Sequence, residues 1–170
     1  MTTAVIGLGN PLLTDDGVGL ALLEALRDDG WLDVDLVDGG TWGLSLLPVL
    51  ADCERVLVLD AVKAGNEPGT VVRGRGADVP RLYRYPLSPH QIDLTEVLAA
   101  AEMTGGVPAE MEVIGVEPGS TDGPCLQLTD PVAAALPTAL DEARRVLLAW
   151  GHTRAELVAT SPTRLESRCR

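Results

Sequence analysis

The chain has 170 residues, of which 46% are hydrophobic and only 3% aromatic, and it contains no Phe. This length fits one domain around one core, and a core built from aliphatic side chains suits a parallel sheet covered by helices. The formal net charge of -12 disfavours nucleic acid as a partner, because an acidic surface repels phosphate backbones.

The first part of the chain alternates between strand and helix patterns. Residues 3–8 form an apolar run that ends at a Gly-x-Gly turn, which predicts a buried strand. Apolar residues then recur at helical spacing over 15–26, behind acidic residues that favour a helix N-terminus. Three further elements are predicted: a strand at 33–37 closed by Asp38-Gly39-Gly40, a helix at 44–50 interrupted by Pro48, and a buried strand at 55–59 that ends in Asp60.

The second part continues the alternation. The predicted elements are a strand at 70–73, a long loop at 74–89, a helix at 92–101, a strand at 112–116 and a long helix at 131–150. This order indicates an α/β fold with a mostly parallel sheet between helices. We assign residues 1–151 to this single domain and 152–170, rich in Arg, Thr and Ser, to a poorly ordered C-terminal tail.

Targeting and redox signals are weak. No apolar run reaches the roughly 18–20 residues of a membrane span, and the N-terminus lacks the basic segment of a secretory signal. Cys53, Cys125 and Cys169 are scattered, so neither a disulfide framework nor a zinc site is predicted. We therefore expect a cytoplasmic protein that has no membrane partner.

Polar side chains follow the ends of several predicted strands. Asp15 and Asp16 come after the first strand, Asp38 after the second, Asp60 after the third, and His90 precedes a helix. Functional groups gather outside the carboxyl ends of strands in open α/β sheets, so these residues can converge on one cleft. Buried carboxylates need a cation or a shared proton. One imidazole with two carboxylates suits a divalent transition metal that keeps open positions.

Each of these residues also has a purely structural explanation. Asp15 or Asp16 could cap a helix, and Asp38 could be a turn residue before Gly-Gly. Asp60 could cap the segment that follows it, and His90 could lie on the surface or bind the backbone.

Other site types fit the sequence poorly. Gly7-x-Gly9 follows a strand, but Leu12 stands where a dinucleotide fingerprint needs its third Gly. Asp15 and Asp16 would also repel a pyrophosphate at the helix start. A Gly-x-Ser-x-Gly nucleophile motif is missing, and the cysteines have no evident His partner in the sequence.

Five motifs follow one another along the chain: GLGNPLLTDDGVG at 7–19, DGGTWG at 38–43, VLVLDAV at 56–62, SPHQIDLTEVL at 88–98 and VIGVEP at 113–118. In their order and spacing they resemble the hydrogenase maturation protease family. The resemblance covers the chain to about residue 150. It implies a three-layer αβα sandwich around a twisted, mainly parallel sheet of about five strands. It also implies an endopeptidase that removes the C-terminal extension of a nickel-iron hydrogenase large-subunit precursor after nickel insertion.

The resemblance also suggests residue roles. The family's metal contacts map onto Asp16, Asp60 and His90, although many members carry Glu at the first position. Asp38 and the turn containing Gly40 and Thr41 match a segment near the cleft, so this turn is expected to bind substrate. We expect nickel to arrive with the precursor and to serve for recognition and as a Lewis acid, with Asp16 or Asp38 as general base. Whether the enzyme binds a metal of its own stays open.

Three alternatives remain. Peptidyl-tRNA hydrolase also opens with GLGNP, but it continues with a Tyr and a His, whereas TDDGVG follows here and no His precedes position 90. A non-catalytic, nickel-sensing assembly partner of hydrogenase would keep the same acidic and His residues. A related metal-dependent peptidase with another target would share the motifs. The expected partner is the large-subunit precursor, and the chain is expected to act as a monomer.

Overall fold

A computed structural model describes residues 2–41, 43–83 and 94–155. Within these ranges the chain forms one sheet of five strands in the order β2-β1-β3-β5-β4. The strands are β1 (Thr3–Leu8), β2 (Asp35–Gly40), β3 (Arg55–Ala61), β4 (Val71–Arg75) and β5 (Glu110–Val116). Four strands pair in parallel, and β4 pairs antiparallel to β5. The predicted mainly parallel sheet of about five strands is confirmed.

Helices cover both faces of the sheet. They are α1 (Val18–Asp28), α2 (Leu47–Asp52), α3 (Val79–Leu82), α4 (Leu94–Thr104) and α5 (Asp130–Ala149). The α1 and α5 helices pack on one face around Leu57 and Leu59, and α2, α3 and α4 pack on the other around Val56 and Val58. This is the predicted αβα sandwich. No helix in the described part of the chain is long and apolar enough to cross a membrane.

Two close backbone approaches place the start of α1. The helix is preceded by a short 3₁₀ helix, Thr14–Gly17. A Cβ on Gly19 would lie 2.3 Å from the carbonyl oxygens of both Leu8 and Leu59, so only Gly allows α1 to sit directly on the ends of β1 and β3. Gly9 has φ +115°, and a Cβ there would lie 1.7 Å from the Asp16 carbonyl oxygen. The glycines of the first motif therefore allow the 3₁₀ helix and the start of α1 to lie directly on the sheet.

The segment predicted as a loop at 74–89 is more regular than expected. The β4 strand continues to Arg75, and a 3₁₀ helix (Gly76–Asp78) and α3 follow. Arg75 of this stretch and Arg73 just before it are paired with the neighbouring strand. Arg73 lies 2.6 Å from Glu112, and Arg75 lies 3.1 Å from Glu110. Tertiary ion pairs, invisible in a local pattern, thus stabilise β4 as a sheet edge.

Residues 150–155 pack against the amino end of the sheet. His152 Nε2 lies 2.9 Å from Thr3 Oγ1, and the Ala155 N–H donates to the Gly30 carbonyl at 2.8 Å. The Arg154 guanidinium lies over the Trp31 ring at 5.6 Å. The predicted tail began at 152, and its remainder, residues 156–170, lies outside the described residues.

Candidate active site

The site lies at the topological switch point of the sheet, where the order of the strands reverses. From β1 the chain passes to β2 on one side, and β3 lies on the other side of β1. A crevice between the carboxyl ends of two such strands is the usual ligand site of open α/β sheets. Asp16 follows β1, Asp60 is near the end of β3, and both are buried, with 2% and 8% of their surfaces exposed. Two buried carboxylates therefore lie at the carboxyl ends of β1 and β3.

Asp16 is held by the loop that connects β1 to the 3₁₀ helix. The Asn10 backbone N–H donates to Asp16 Oδ2 at 2.8 Å, so the loop turns back onto the carboxylate. Gly9, whose Cα packs against Asp16, donates its N–H to the Gly40 carbonyl at 2.9 Å. The Gly9 backbone therefore links Asp16 to the end of β2.

Asp60 points to the face of the sheet that carries α2, α3 and α4. Val56 and Val58 pack in that layer, and because side chains alternate along a strand, Asp60 continues their series. Tyr83, the residue directly after α3, donates its hydroxyl to Asp60 Oδ2 at 3.1 Å. Part of the Asp60 environment thus comes from the segment that sequence patterns assign to a loop.

His90 lies outside the described residues. The helices that precede and follow residues 84–93, α3 and α4, both pack on the face to which Asp60 points. Among the residues that the structure describes, no group of three His, Cys, Asp or Glu side chains is placed to hold a metal. The three-residue set of Asp16, Asp60 and His90 therefore stays a prediction. Its chemistry, two buried carboxylates with an imidazole, suits a divalent transition metal.

Asp15 has a different function from its neighbour. Its carboxylate is fully buried and accepts hydrogen bonds from the Gly119, Ser120 and Thr129 backbone N–H groups at 2.7–2.9 Å, as well as from the Thr129 hydroxyl at 2.8 Å. Thr129 is the N-cap residue of α5. Asp15 therefore does satisfy a helix-terminal N–H group, but it is that of the α5 N-cap residue rather than one of the helix that Asp15 precedes. It anchors the β5–α5 loop and does not join Asp16.

Asp38 lies within β2 instead of after it. Its Cα is paired with Gly7 on β1, and its side chain is exposed. Leu36 packs with α1 and α5, so alternation along the strand puts Asp38 on that face, opposite the face to which Asp60 points. The sheet thus separates these two carboxylates. A general-base role for Asp38 remains a prediction, and Asp16 is better enclosed.

The predicted substrate-binding turn follows β2. Gly40 ends the strand with φ +42°, and Thr41 after it is exposed. The turn is adjacent to Asp16 through Gly9. Trp42, the next residue, lies outside the described residues.

Two residues near the site were missed as site components by sequence reasoning. Glu117, 3% exposed, accepts hydrogen bonds from the backbone N–H groups of Ala64 at 2.9 Å, Gly65 at 3.2 Å and Asn66 at 3.1 Å. It thereby fixes the turn that follows β3. An acid at the end of an apolar strand was visible in the sequence, but its backbone partners were not. Tyr83 gave no signal, because it stands in a Gly-, Pro- and Arg-rich stretch.

Comparisons with known proteins agree with this geometry. A family model described as hydrogenase maturation protease matches residues 20–146. The hydrogenase 2 maturation protease of Escherichia coli is 39% identical over 145 residues, which cover 84% of this chain and 88% of that protein. The hydrogenase expression/formation protein HupD of Rhodobacter capsulatus is 39% identical over 150 residues, covering 86% and 71%. The solved structure of the hydrogenase maturating endopeptidase HybD from E. coli superposes with a TM-score of 0.81 at 36% identity, covering 89% of this chain and 95% of that one.

Proposed function

This chain belongs to the hydrogenase maturation protease family and is therefore a peptidase, and we propose that it cleaves the C-terminal extension from a nickel-iron hydrogenase large-subunit precursor after nickel insertion. The observation that carries the proposal is the pair of buried carboxylates, Asp16 and Asp60, at the reversal point of the sheet. Family membership also decides against the peptidyl-tRNA hydrolase alternative. Cytoplasmic location and a monomeric state remain expectations.

Asp16, Asp60 and His90 are proposed to contact nickel that the precursor itself brings to the site. Two carboxylates and an imidazole are suitable donors for such an ion. Burial supports this assignment, since carboxylates removed from water are stabilised by a cation. For His90 the support is indirect: α3 and α4, on either side of its segment, cover the face toward which Asp60 points.

The chemistry proposed for the chain's own residues is proton transfer. Nickel in the bound precursor would polarise the scissile carbonyl. Asp16, buried beside the Gly40 turn, accepts a proton from the attacking water and returns it to the leaving amine as the C–N bond breaks. Gly40 and Thr41 are proposed to bind the extended substrate backbone beside Asp16. Asp38 is the second candidate for the base.

The decisive experiment is processing of nickel-loaded and nickel-free precursor by wild type and by single variants, followed by mass spectrometry. Asp60→Asn and His90→Ala are expected to slow cleavage of the loaded precursor by about 100-fold or more, because a misplaced nickel loses its Lewis-acid contribution of several kcal/mol. Glu102→Gln, an exposed change on α4, is the matched control. Normal cleavage by His90→Ala would contradict the metal-site assignment.

The same experiment separates a protease from a nickel-sensing assembly partner. A protease lowers the precursor mass by one C-terminal peptide. A binding partner would form a stable complex with the nickel-loaded precursor at unchanged mass. Comparing Asp16→Asn with Asp38→Asn then assigns the base, because the variant that has lost the proton acceptor loses turnover by a larger factor than it loses binding.

A further inference from the structure

Tyr83 makes a contact with the site that has no role in the proposed chemistry. Its hydroxyl lies 3.1 Å from Asp60 Oδ2, and Asp60 is only 8% exposed. The ring is partly buried and packs against the aliphatic layer that contains Val58. A buried carboxylate thus receives a hydrogen bond from a side chain whose own position is set by packing.

The helix that precedes Tyr83 is closely packed. Tyr83 follows α3 directly, with φ -91° and ψ 51°, so the chain leaves helical geometry at this residue. Val79 of α3 is 1% exposed, and Leu82 packs so closely on Gly74 that a Cβ there would lie 2.6 Å from Leu82 Cδ1. The short helix is therefore fixed on β4, and it carries the tyrosine to the end of β3.

We propose that Tyr83 is a positioning residue that holds the Asp60 carboxylate in one orientation for the nickel carried by the precursor. This inference rests on the proposed function, because it needs Asp60 as a ligand. Hydrogen bonds to the ligand carboxylates and imidazoles of metal sites fix their orientation. Loss of such a partner typically lowers metal affinity or activity by about 10- to 100-fold. Tyr83 acts through Asp60 and takes no part in proton transfer.

Tyr83→Phe isolates the hydroxyl, because it retains the ring that packs in the aliphatic layer. We expect the variant to bind nickel-loaded precursor about 10- to 100-fold more weakly than wild type does, with unchanged affinity for nickel-free precursor. Affinity for the nickel-free precursor is measured by calorimetry. Single-turnover kinetics on the loaded precursor separate binding from the cleavage step.

Thr104→Val is the matched control. It removes one hydroxyl from the same helical layer, where Thr104 Oγ1 donates to the Ala100 and Ala101 carbonyls at 3.1 Å, at the end of α4. Both precursor forms should bind this variant as they bind wild type. A selective loss in Tyr83→Phe alone supports the positioning role.

The outcomes separate this inference from the function on which it rests. Wild-type binding and turnover in Tyr83→Phe, alongside a defective Asp60→Asn, would overturn the role of Tyr83 and leave the proposed site intact. An equal loss for loaded and nickel-free precursor, or a variant that does not fold, would show that the hydroxyl serves packing and would also overturn the inference. Normal cleavage by Asp60→Asn would instead remove Asp60 from the proposed site.

Discussion

Asp15 and Asp16 are neighbours in one 3₁₀ helix, yet their carboxylates serve different parts of the molecule. The Asp16 carboxylate accepts a hydrogen bond from the Asn10 backbone N–H beyond the carboxyl end of β1. Asp15 is fully buried beneath the β5–α5 loop and binds three of its backbone N–H groups. Residues three apart eclipse one another in a 3₁₀ helix, whereas adjacent ones point in different directions. One short turn therefore carries both an anchor and a candidate catalytic group.

Replacing Asp15 by Ala should destabilise the protein without removing a catalytic group. The substitution leaves the N–H groups of Gly119, Ser120 and Thr129 without their acceptor. These hydrogen bonds are only partly buried, so each lost acceptor should cost near the lower end of the about 1–3 kcal/mol for a buried unsatisfied donor. We expect a loss on the order of 3 kcal/mol in the free energy of unfolding, measured in urea.

Asp130→Ala is the control for Asp15→Ala. Asp130 is exposed in the first turn of α5 and interacts with the same helix end through the helix dipole, so its loss should cost only about 0.3–1 kcal/mol. Equal effects of the two variants would contradict the anchoring role of Asp15.

The residue types of the site can be predicted from the sequence, but their orientations cannot. Asp16 and Asp60 stand at strand ends, where parallel strands bring their termini together. Nothing in TDDG distinguishes Asp15 from Asp16, because the donors that bind Asp15 lie 104 to 114 residues further along the chain. Tyr83 was invisible for the same reason, since its function depends on how α3 packs.

The helices α1 and α5 are joined by a bidentate ion pair. Arg144 of α5 donates through Nε and Nη2 to the two carboxylate oxygens of Asp29, at 2.7 Å each, just past the end of α1. Asp29 is well covered, with 11% of its side chain exposed. The hydrogen bond from Arg144 lowers the pKa of Asp29 below its ordinary value of 3.8, and burial opposes this shift.

Arg144→Ala should therefore destabilise the protein in a pH-dependent way. Because the folded-state pKa of Asp29 is lowered, the pairing contributes fully above pH 3.8 and is lost as the pH falls through the lower folded-state value. We expect the variant to be less stable by about 1–2 kcal/mol at neutral pH, with the difference shrinking in acid. Urea unfolding of both proteins between neutral pH and acid measures it.

Arg145→Ala provides the comparison for this pair. Arg145 is exposed and pairs with Glu142 within α5, so its removal should cost about 0.5 kcal/mol or less at any pH. A pH-independent deficit in Arg144→Ala would show that Arg144 acts through packing and not through the Asp29 charge.

Most predicted elements were right in kind and wrong mainly at their ends; the exception is α3, which lies in a segment predicted as a loop. The continuous apolar runs of β1 and β3 identified the central strands, because both faces of those strands are buried. The β2 strand extends through Asp38 and Gly40, which look like turn residues, because parallel pairing with Gly7 and Leu8 continues there. β4 runs through Arg75 because Glu110 and Glu112 of β5 neutralise its arginines. Both extensions depend on neighbours distant in sequence.

Residues 150–155, here called the C-terminal strap, lie across the amino end of the sheet. Arg55 Nη1 donates to the Trp150 carbonyl at 2.9 Å, and His152 contacts Thr3. A chain ending at 149 loses these contacts and should be less stable by about 2–4 kcal/mol, at about 1 kcal/mol for each hydrogen bond and more for the charged one.

A chain ending at 155 keeps the strap. We expect it to unfold at the full-length urea midpoint and to process the precursor at the full-length rate, since residues 156–170 have the composition of a solvated tail. Slower processing at unchanged stability would instead assign those residues to precursor binding. Urea unfolding and mass spectrometry of the precursor distinguish the two results.

The anchoring of Asp15 also sets the order of events during synthesis. Its partners are Gly119, Ser120 and Thr129, so the turn that carries Asp16 gains its support only when more than a hundred further residues have been made. Contacts between such distant segments form late, because loop closure must precede them. A nascent chain on the ribosome would therefore hold its first motif without an organised site. Proteolytic competence would therefore arise only with the nearly finished domain.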